Sequence, residues 1–396
     1  MFENVALAPA DPILGLNEAF KADKRDDKIN LTVGVYQNES GVIPRLDCVA
    51  QAEKRLIANP VGLSYLPIDG DPAYCQAAAK LMFGSDDPRL TEGRLVSAQT
   101  PGGTGGLRVV ADLLNKLGVI KTIWHSDPTW ANHQGIFQAA GLHTQPYAYL
   151  DQKRTGLDFP AMIQAISAIP QGDAVLLHGC CHNPTGVDPT TAQWEELVDV
   201  IKQRQLFPVV DCAYQGFGAG LEEDAFACRL ISQQIPEAMM IQSFSKNFSL
   251  YNQRVGAVHV LTADSDAAKA VRSQLKNCIR VNYSNPPEHG AGLVRTVLTD
   301  DSLRSQWESE VGAMRQRIAE LRQQFSQQLA EKCSQDFSHV ATQCGMFSFS
   351  GLTKSQVEAL REQFGIYIVG NGRMNVAGLS TSNLERTTDA IAAVVK

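Results

Sequence analysis

Lys246 is the residue in this chain best placed for covalent chemistry. It lies in Gln-Ser-Phe-Ser-Lys-Asn-Phe (242–248), directly after the apolar run Met239-Met240-Ile241 and eight residues before Arg254. A lysine amine attacks a carbonyl only when unprotonated, and burial beside other cations favours that form. At the end of a buried strand, among hydroxyls and one loop from an arginine, Lys246 suits an imine-forming amine next to an anion site. Taken alone it reads more readily as a solvated surface lysine, as most lysines are. Context argues otherwise, because other parts of one site occur upstream and downstream.

Gln99-Thr100-Pro101-Gly102-Gly103-Thr104-Gly105-Gly106 leads into a helix, and glycines let backbone N–H groups approach an oxyanion at a helix N-terminus. The run lacks the Lys-Ser/Thr of a triphosphate loop and the spacing of a dinucleotide fingerprint, so by itself it is only a tight turn. His178-Gly179-Cys180-Cys181-His182-Asn183-Pro184 follows a strand, and a cis bond before Pro184 fits that setting. Asn183, held at the strand end, can donate its amide to a phenolate oxygen. Pro208-Val209-Val210-Asp211-Cys212-Ala213-Tyr214 ends a strand with a carboxylate and places a phenol three residues on. A buried aspartate needs a cation, and a protonated pyridine nitrogen is one. Alone, Asp211 also reads as a helix cap and Tyr214 as a core residue. Arg373, in Gly372-Arg373-Met374-Asn375, and Arg280, in Ile279-Arg280-Val281-Asn282, are candidates for bidentate carboxylate binding or for surface ion pairs.

These residues need elements to position them. From about residue 95 to 280, apolar strands are expected at Thr122–His125, Ala174–His178, Phe207–Asp211, Ala238–Ser243 and Val255–Leu261. Helical patterns fall at Leu107–Leu117, Asp158–Ile169, Thr191–Arg204, Cys228–Gln234 and Ser265–Asn277. The alternation predicts an α/β fold: a large domain with a mostly parallel sheet sandwiched by helices, its ligand beyond the carboxyl ends of the strands. Leu303, Trp307, Val311, Met314, Ile318, Leu321, Phe325 and Leu329 recur every three or four residues and predict one long amphipathic helix over 301–332. A smaller α+β domain is expected to begin within it. That domain would hold strands Met346–Ser350 and Tyr367–Val369, with helices Lys354–Phe364 and Ser382–Val395. The expected division is an N-terminal arm (1–14), a small-domain segment (15–47) returning to join the C-terminal part, a large domain (48–310), and the rest of the small domain (311–396).

Composition bounds the function. The 396 residues are 44% hydrophobic and 19% charged, with a net charge of −7 and pI near 5.7. That is an ordinary soluble balance with no basic block for nucleic acid or an anionic membrane. No 18-residue apolar run and no basic, secretory-type start are present, so a cytoplasmic protein is expected. Nine scattered cysteines form no C-x-x-C motif, which suits free thiols in a reducing compartment. A metal site at Cys180, Cys181 and His182 is not expected, because consecutive side chains on an extended segment point to opposite faces.

Together the motifs closely resemble class I (fold type I) pyridoxal-phosphate aminotransferases of the bacterial aspartate/aromatic-amino-acid subfamily. The resemblance runs from Ala8-Pro9-Ala10-Asp11-Pro12-Ile13-Leu14-Gly15-Leu16 to Arg373-Met374-Asn375-Val376-Ala377-Gly378. It implies pyridoxal 5′-phosphate as cofactor, amino acids and 2-oxo acids as substrates, and a homodimer with shared active sites. Lys246 would hold the cofactor covalently and then move the proton between substrate Cα and cofactor C4′. Asp211 would pair with the pyridinium nitrogen, and Tyr214 and Asn183 with the ring oxygen. Trp130 would stack on the ring, with His133 and His178 behind it. Gly103, Thr104, Ser243 and Arg254 would bind the phosphate, with Tyr65 reaching over from the other subunit. Arg373 would hold the substrate α-carboxylate near Gly34, and Arg280 of the other subunit the distal carboxylate.

Specificity is divided at this level. Arg280, Val35, Thr104 and Asn285 look like the aspartate branch. Ile43, Ser249 and the run Gly216–Asp224 look like the aromatic branch. Gln37 and Ser64 fit neither, and Gln253 stands where glutamate is usual. The expectation is dual specificity, with a strict aspartate aminotransferase as the alternative. A β-eliminating lyase or a non-catalytic regulator on the same fold is set aside, because Arg280 and Lys246 are both present and no DNA-binding segment is.

Overall fold

A computed structural model describes residues 2–7, 14–60 and 62–396. The Ala8–Ile13 part of the resemblance therefore lies outside the described residues. Eleven strands are described: β1 (Ile29–Asn30), β2 (Leu95–Pro101), β3 (Thr122–Asp127), β4 (His143–Ala148), β5 (Ala174–His178), β6 (Phe207–Cys212), β7 (Ala238–Ser243), β8 (Val255–Leu261), β9 (Phe347–Phe349), β10 (Ile366–Tyr367) and β11 (Arg373–Asn375). Seven form one sheet in the order β2-β8-β7-β6-β5-β3-β4, with β8 antiparallel to both neighbours and the remaining pairs parallel.

Every residue of β5, β7 and β8 is buried, as expected of strands covered on both faces. Alternate residues serve two separate cores. Val175, Leu177, Val210 and Met240 pack on one side of the sheet, and Leu176, Val209, Met239 and Ile241 on the other. The five strands expected from the apolar runs all form. β2 and β4 were not anticipated, because β4 is an edge strand with mostly exposed positions and little apolar signal.

The register collects chemistry at one edge. His178 is level with Asp211, and Cys212 with Gln242, at the carboxyl ends of β5, β6 and β7. Because β8 runs the other way, its first residue, Val255, lies at that same edge, level with Pro101 at the end of β2. The glycine run, Lys246, Arg254 and Asp211 thus meet where ligands of open α/β sheets bind.

The long helix spans Asp301–Lys332, as its periodicity predicts. Its N-terminal half belongs to the sheet-bearing part. Trp307, fully buried, stacks on Phe248 at 4.6 Å and donates its indole N–H to the Asn247 carbonyl at 2.8 Å. Its C-terminal half holds the last part of the chain, where the Thr388 hydroxyl donates to Gln328 Oε1 at 2.8 Å. β1 pairs in parallel with β10, so the N-terminal stretch does return to the C-terminal elements. Beside it, β9 and β11 form an antiparallel pair.

Candidate active site

A cavity of about 250 Å³ opens at the collecting edge of the sheet, lined by Gly34, Gly103, Thr104, Trp130, His178, Asn183, Asp211, Tyr214, Ser243, Lys246, Arg254 and Arg373 among others. Twelve positions singled out in the sequence, several of them through the resemblance alone, thus share one cavity.

Its floor is the end of β6. His133, on the helix Asn132–Ala139, donates from Nε2 to Asp211 Oδ2 at 3.0 Å, while Thr129 Oγ1 meets its Nδ1 at 2.8 Å. The second oxygen, Asp211 Oδ1, is buried and has no partner among the described residues. Burial alone raises the Asp211 carboxyl, but the His133 hydrogen bond and the positive groups around it outweigh that and hold it below its usual value. An ionised, half-satisfied carboxylate facing a cavity calls for an N–H cation there. His178 lies 5.2 Å from His133, ring to ring, and burial pushes it down to about 3, so it stays neutral.

Lys246 follows β7 by three residues and is half-buried in the cavity wall. Burial pushes its amine down to about 8; Asp211 opposes this and Arg254 adds to it. Its Nζ lies 4.6 Å from the centroid of the Tyr214 ring. Asn183 Nδ2 donates to the Tyr214 hydroxyl at 3.3 Å, and the Asn183 Oδ1 is another buried oxygen with no partner among the described residues. The peptide before Pro184 is cis, as its setting suggested.

The anion end differs from the sequence expectation in one respect. The glycines do not precede the helix; Gly102–Gly106 are its first turn, and the helix runs Gly102–Leu117 instead of starting at Leu107. Glycine is a poor helix former, which is why the pattern was misplaced. Space requires it at Gly102, whose φ is +73° and where a Cβ would sit 2.5 Å from Arg254 Nη2. The free N–H groups of this first turn therefore lie beside the guanidinium. Arg254 is fixed by hydrogen bonds from Nη1 to the Tyr251 carbonyl at 2.9 Å and to Ser245 Oγ at 3.3 Å.

Across the cavity stands Arg373, 5% exposed, in β11. Its guanidinium packs over the Phe347 ring at 4.5 Å and donates from Nη2 to the Thr32 carbonyl at 2.5 Å, while Nε has no partner among the described residues. Burial pushes it down to about 10, which leaves it charged at neutral pH. Gly34 has to be small, because a Cβ there would lie 2.8 Å from Phe347 Cζ.

Two expected residues are not in this cavity. Tyr65 is 91% exposed, and Arg280 is exposed, with Nη1 on the Ser284 hydroxyl at 2.5 Å. Sequence reasoning also missed Phe347, Tyr251 and Ser245, which line the site. Phe347 carries no polar signal, and the role of Tyr251 is tertiary: its hydroxyl accepts the Tyr36 N–H at 2.8 Å. One further expectation fails. Cys180 and Cys181 do not diverge; their sulfurs lie within 4.8 Å, because Cys181 has a left-handed backbone, φ +51°, and the segment is not extended there.

Residues 26–391 match the family described as aminotransferase class I and II. The chain is 49% identical to an aspartate aminotransferase of Escherichia coli K12 over 396 residues, and 47% identical to its aromatic-amino-acid aminotransferase over 397, with 100% of each chain covered in both cases. Among solved structures it resembles an aromatic-amino-acid aminotransferase from Burkholderia pseudomallei covalently bound to pyridoxal phosphate, with a TM-score of 0.97, 49% identity and 100% of both chains covered. The chain belongs to the class I and II aminotransferases. Within that family it is an aminotransferase of the pyridoxal-phosphate fold type I.

Proposed function

We propose that the chain transfers amino groups from aspartate, glutamate and aromatic amino acids to 2-oxoglutarate or oxaloacetate. The observation that carries this is the pairing, in one cavity, of the half-satisfied Asp211 and the Lys246 amine with a buried Arg373 on the opposite wall. The cofactor is pyridoxal 5′-phosphate, and the donor set suits it: an N–H acceptor at Asp211, a phenol and amide at Tyr214 and Asn183, and an anion cradle at Gly103, Thr104, Ser243 and Arg254.

Bound there, the cofactor supplies an aldehyde carbon for Lys246 and a protonated ring that takes up the electron pair released at substrate Cα. Asp211 keeps the proton on the ring nitrogen, and His133 keeps Asp211 ionised. Tyr214 and Asn183 hold the ring oxygen. Trp130, which lines the cavity, would stack on the ring. Arg373 binds the α-carboxylate and so aims the Cα–H bond at Lys246. Lys246, its amine lowered to about 8 by burial, would take up that proton and hold it for return on the same face. One cavity serves both half-reactions, so ping-pong kinetics follow.

We assign Tyr65 and Arg280 to the site of a second copy in a homodimer. Both are exposed here, and Ile57, Leu63 and Val281 are exposed large apolar side chains close to them in sequence. Asn285 Nδ2, on the Leu66 carbonyl at 2.8 Å, ties the two segments together, which suits one shared interface. A small mobile domain of 15–47 and 311–396 against a large one of 48–310 is the division we adopt. The change of partners along the helix Asp301–Lys332 supports it. No helix among the described residues is long and apolar enough to cross a membrane, and nine free thiols suit a cytoplasmic setting.

The deciding assay measures kcat/KM for aspartate and for phenylalanine on one preparation, both with 2-oxoglutarate. Values within about tenfold, or ~1.4 kcal/mol in transition-state binding, establish dual specificity. A preference for aspartate of about a thousandfold, ~4 kcal/mol, would make this a strict aspartate aminotransferase.

A further inference from the structure

The proposed reaction uses none of the nine thiols, yet three groups on two separate elements converge beside the site. The sulfurs of Cys181 and Cys344 and an oxygen of Asp188 lie within 4.8 Å of one another. Cys181 and Asp188 belong to the loop after β5, and Cys344 to the segment entering β9. Asp188 is fixed in place: the Cys181 N–H donates to Oδ2 at 2.6 Å and the His182 N–H to Oδ1 at 2.8 Å. The Cys344 thiol also donates to Oδ2, at 3.2 Å.

A second observation concerns charge. Arg322 is 2% exposed and pairs with no carboxylate among the described residues. Its guanidinium donates to the carbonyls of Val340, Cys344, Gly345 and Phe347 and to the Ser348 hydroxyl. A buried cation without a counter-charge is costly. With its thiols protonated the cluster carries the single negative charge of Asp188, and two thiolates with one carboxylate around a divalent cation carry the same charge, so binding the ion leaves the charge facing Arg322 unchanged.

We infer that Cys181, Asp188 and Cys344 form a binding site for a thiophilic divalent cation, zinc or cadmium. Zinc bonds sulfur at about 2.3 Å, so two sulfurs of a tetrahedral site sit roughly 3.8 Å apart. The observed convergence accommodates that separation. Binding forms two metal–sulfur bonds and one metal–oxygen bond and releases the two thiol protons to solvent, with no redox change. Thiolate ligands select zinc or cadmium over magnesium or calcium. Cys344 is only half-buried, which gives the ion a way in. Cys180, Cys181 and Asp224 also lie within 4.8 Å, but all three are buried. Asp224 there accepts three N–H groups, those of Gly216, Gly218 and Ala219, where Asp188 accepts two. A bound ion would tie the segment carrying Asn183 to the segment carrying Phe347.

The test titrates cadmium chloride into the purified full-length protein and follows the thiolate-to-cadmium charge-transfer band in the ultraviolet. The expected result is one equivalent per chain, displaced by zinc. Cys344→Ser should weaken binding by at least about tenfold, while Cys180→Ser should bind as wild type does. Cys344→Asn is the companion variant, with circular dichroism confirming that both fold. Equal binding by wild type and both Cys344 variants would overturn the site. So would loss of the band in Cys180→Ser with retention in Cys344→Ser, or no band at stoichiometric cadmium.

Discussion

The floor under Lys246 and the wall that carries Arg373 are built by different means. The floor consists of strand ends in one sheet, where ladder hydrogen bonds fix His178, Asp211 and Ser243 relative to each other. The wall is assembled from three-residue strands and a loop. Asn375 Nδ2 donates to the Val33 and Val35 carbonyls, each at 2.7 Å, and these bonds join residues more than three hundred positions apart. The floor is rigid by secondary structure, whereas the wall depends on a few long-range contacts. A site divided this way can hold a cofactor constantly and admit substrates of different shape.

The largest break in that comparison is Lys246→Ala. It deletes the nucleophile and the proton carrier together, so kcat should fall by at least about 10⁴-fold. The cofactor's phosphate and ring contacts should persist. Stopped-flow transamination and the loss of the lysine–cofactor absorbance check this, and residual activity within tenfold would mean that another lysine carries the chemistry. Arg373→Ala removes the wall's contribution alone. Losing a buried bidentate carboxylate contact costs about 3 kcal/mol, or ~100-fold in kcat/KM. Covalent cofactor uptake should be unaffected, and a parallel loss of uptake would show floor and wall to be one unit.

The smallest effect is in pH. Burial lowers the Lys246 amine to about 8, and only the unprotonated form attacks an aldehyde. The rate of covalent uptake by the cofactor-free protein should therefore rise about tenfold per pH unit below that value and level off above it. An inflection near the ordinary lysine value, measured by borohydride trapping across pH, would place the amine in solvent.

The same division explains what the sequence made legible. Five strands of the sheet and the helix 301–332 follow from apolar runs and spacing, because each signal is local. Lys246, Asp211 and Asn183 were found because each ends such a run. The glycine helix was placed five residues late, since poor helix formers occupy a first turn for reasons of space beside Arg254. The cysteine geometry was misjudged because a single left-handed residue, Cys181, cancels strand alternation. Phe347 and Tyr251 act through partners distant in sequence and leave no local mark. Tyr65 was assigned through the resemblance alone, and Arg280 was read from the sequence only as a candidate carboxylate-binding arginine; among the described residues of one chain nothing brings either to the cavity.

The pairing of β1 with β10 also bears on how the protein is made. Ile29 leaves the ribosome 337 residues before its partner Ile366. At about 5–20 residues per second, the first strand waits roughly 15 to 70 s for its complement. The sheet can be complete during that interval. A strand of two residues offers few open hydrogen-bonding groups to a stray neighbour while it waits. The shortness of β1 thus protects the nascent chain.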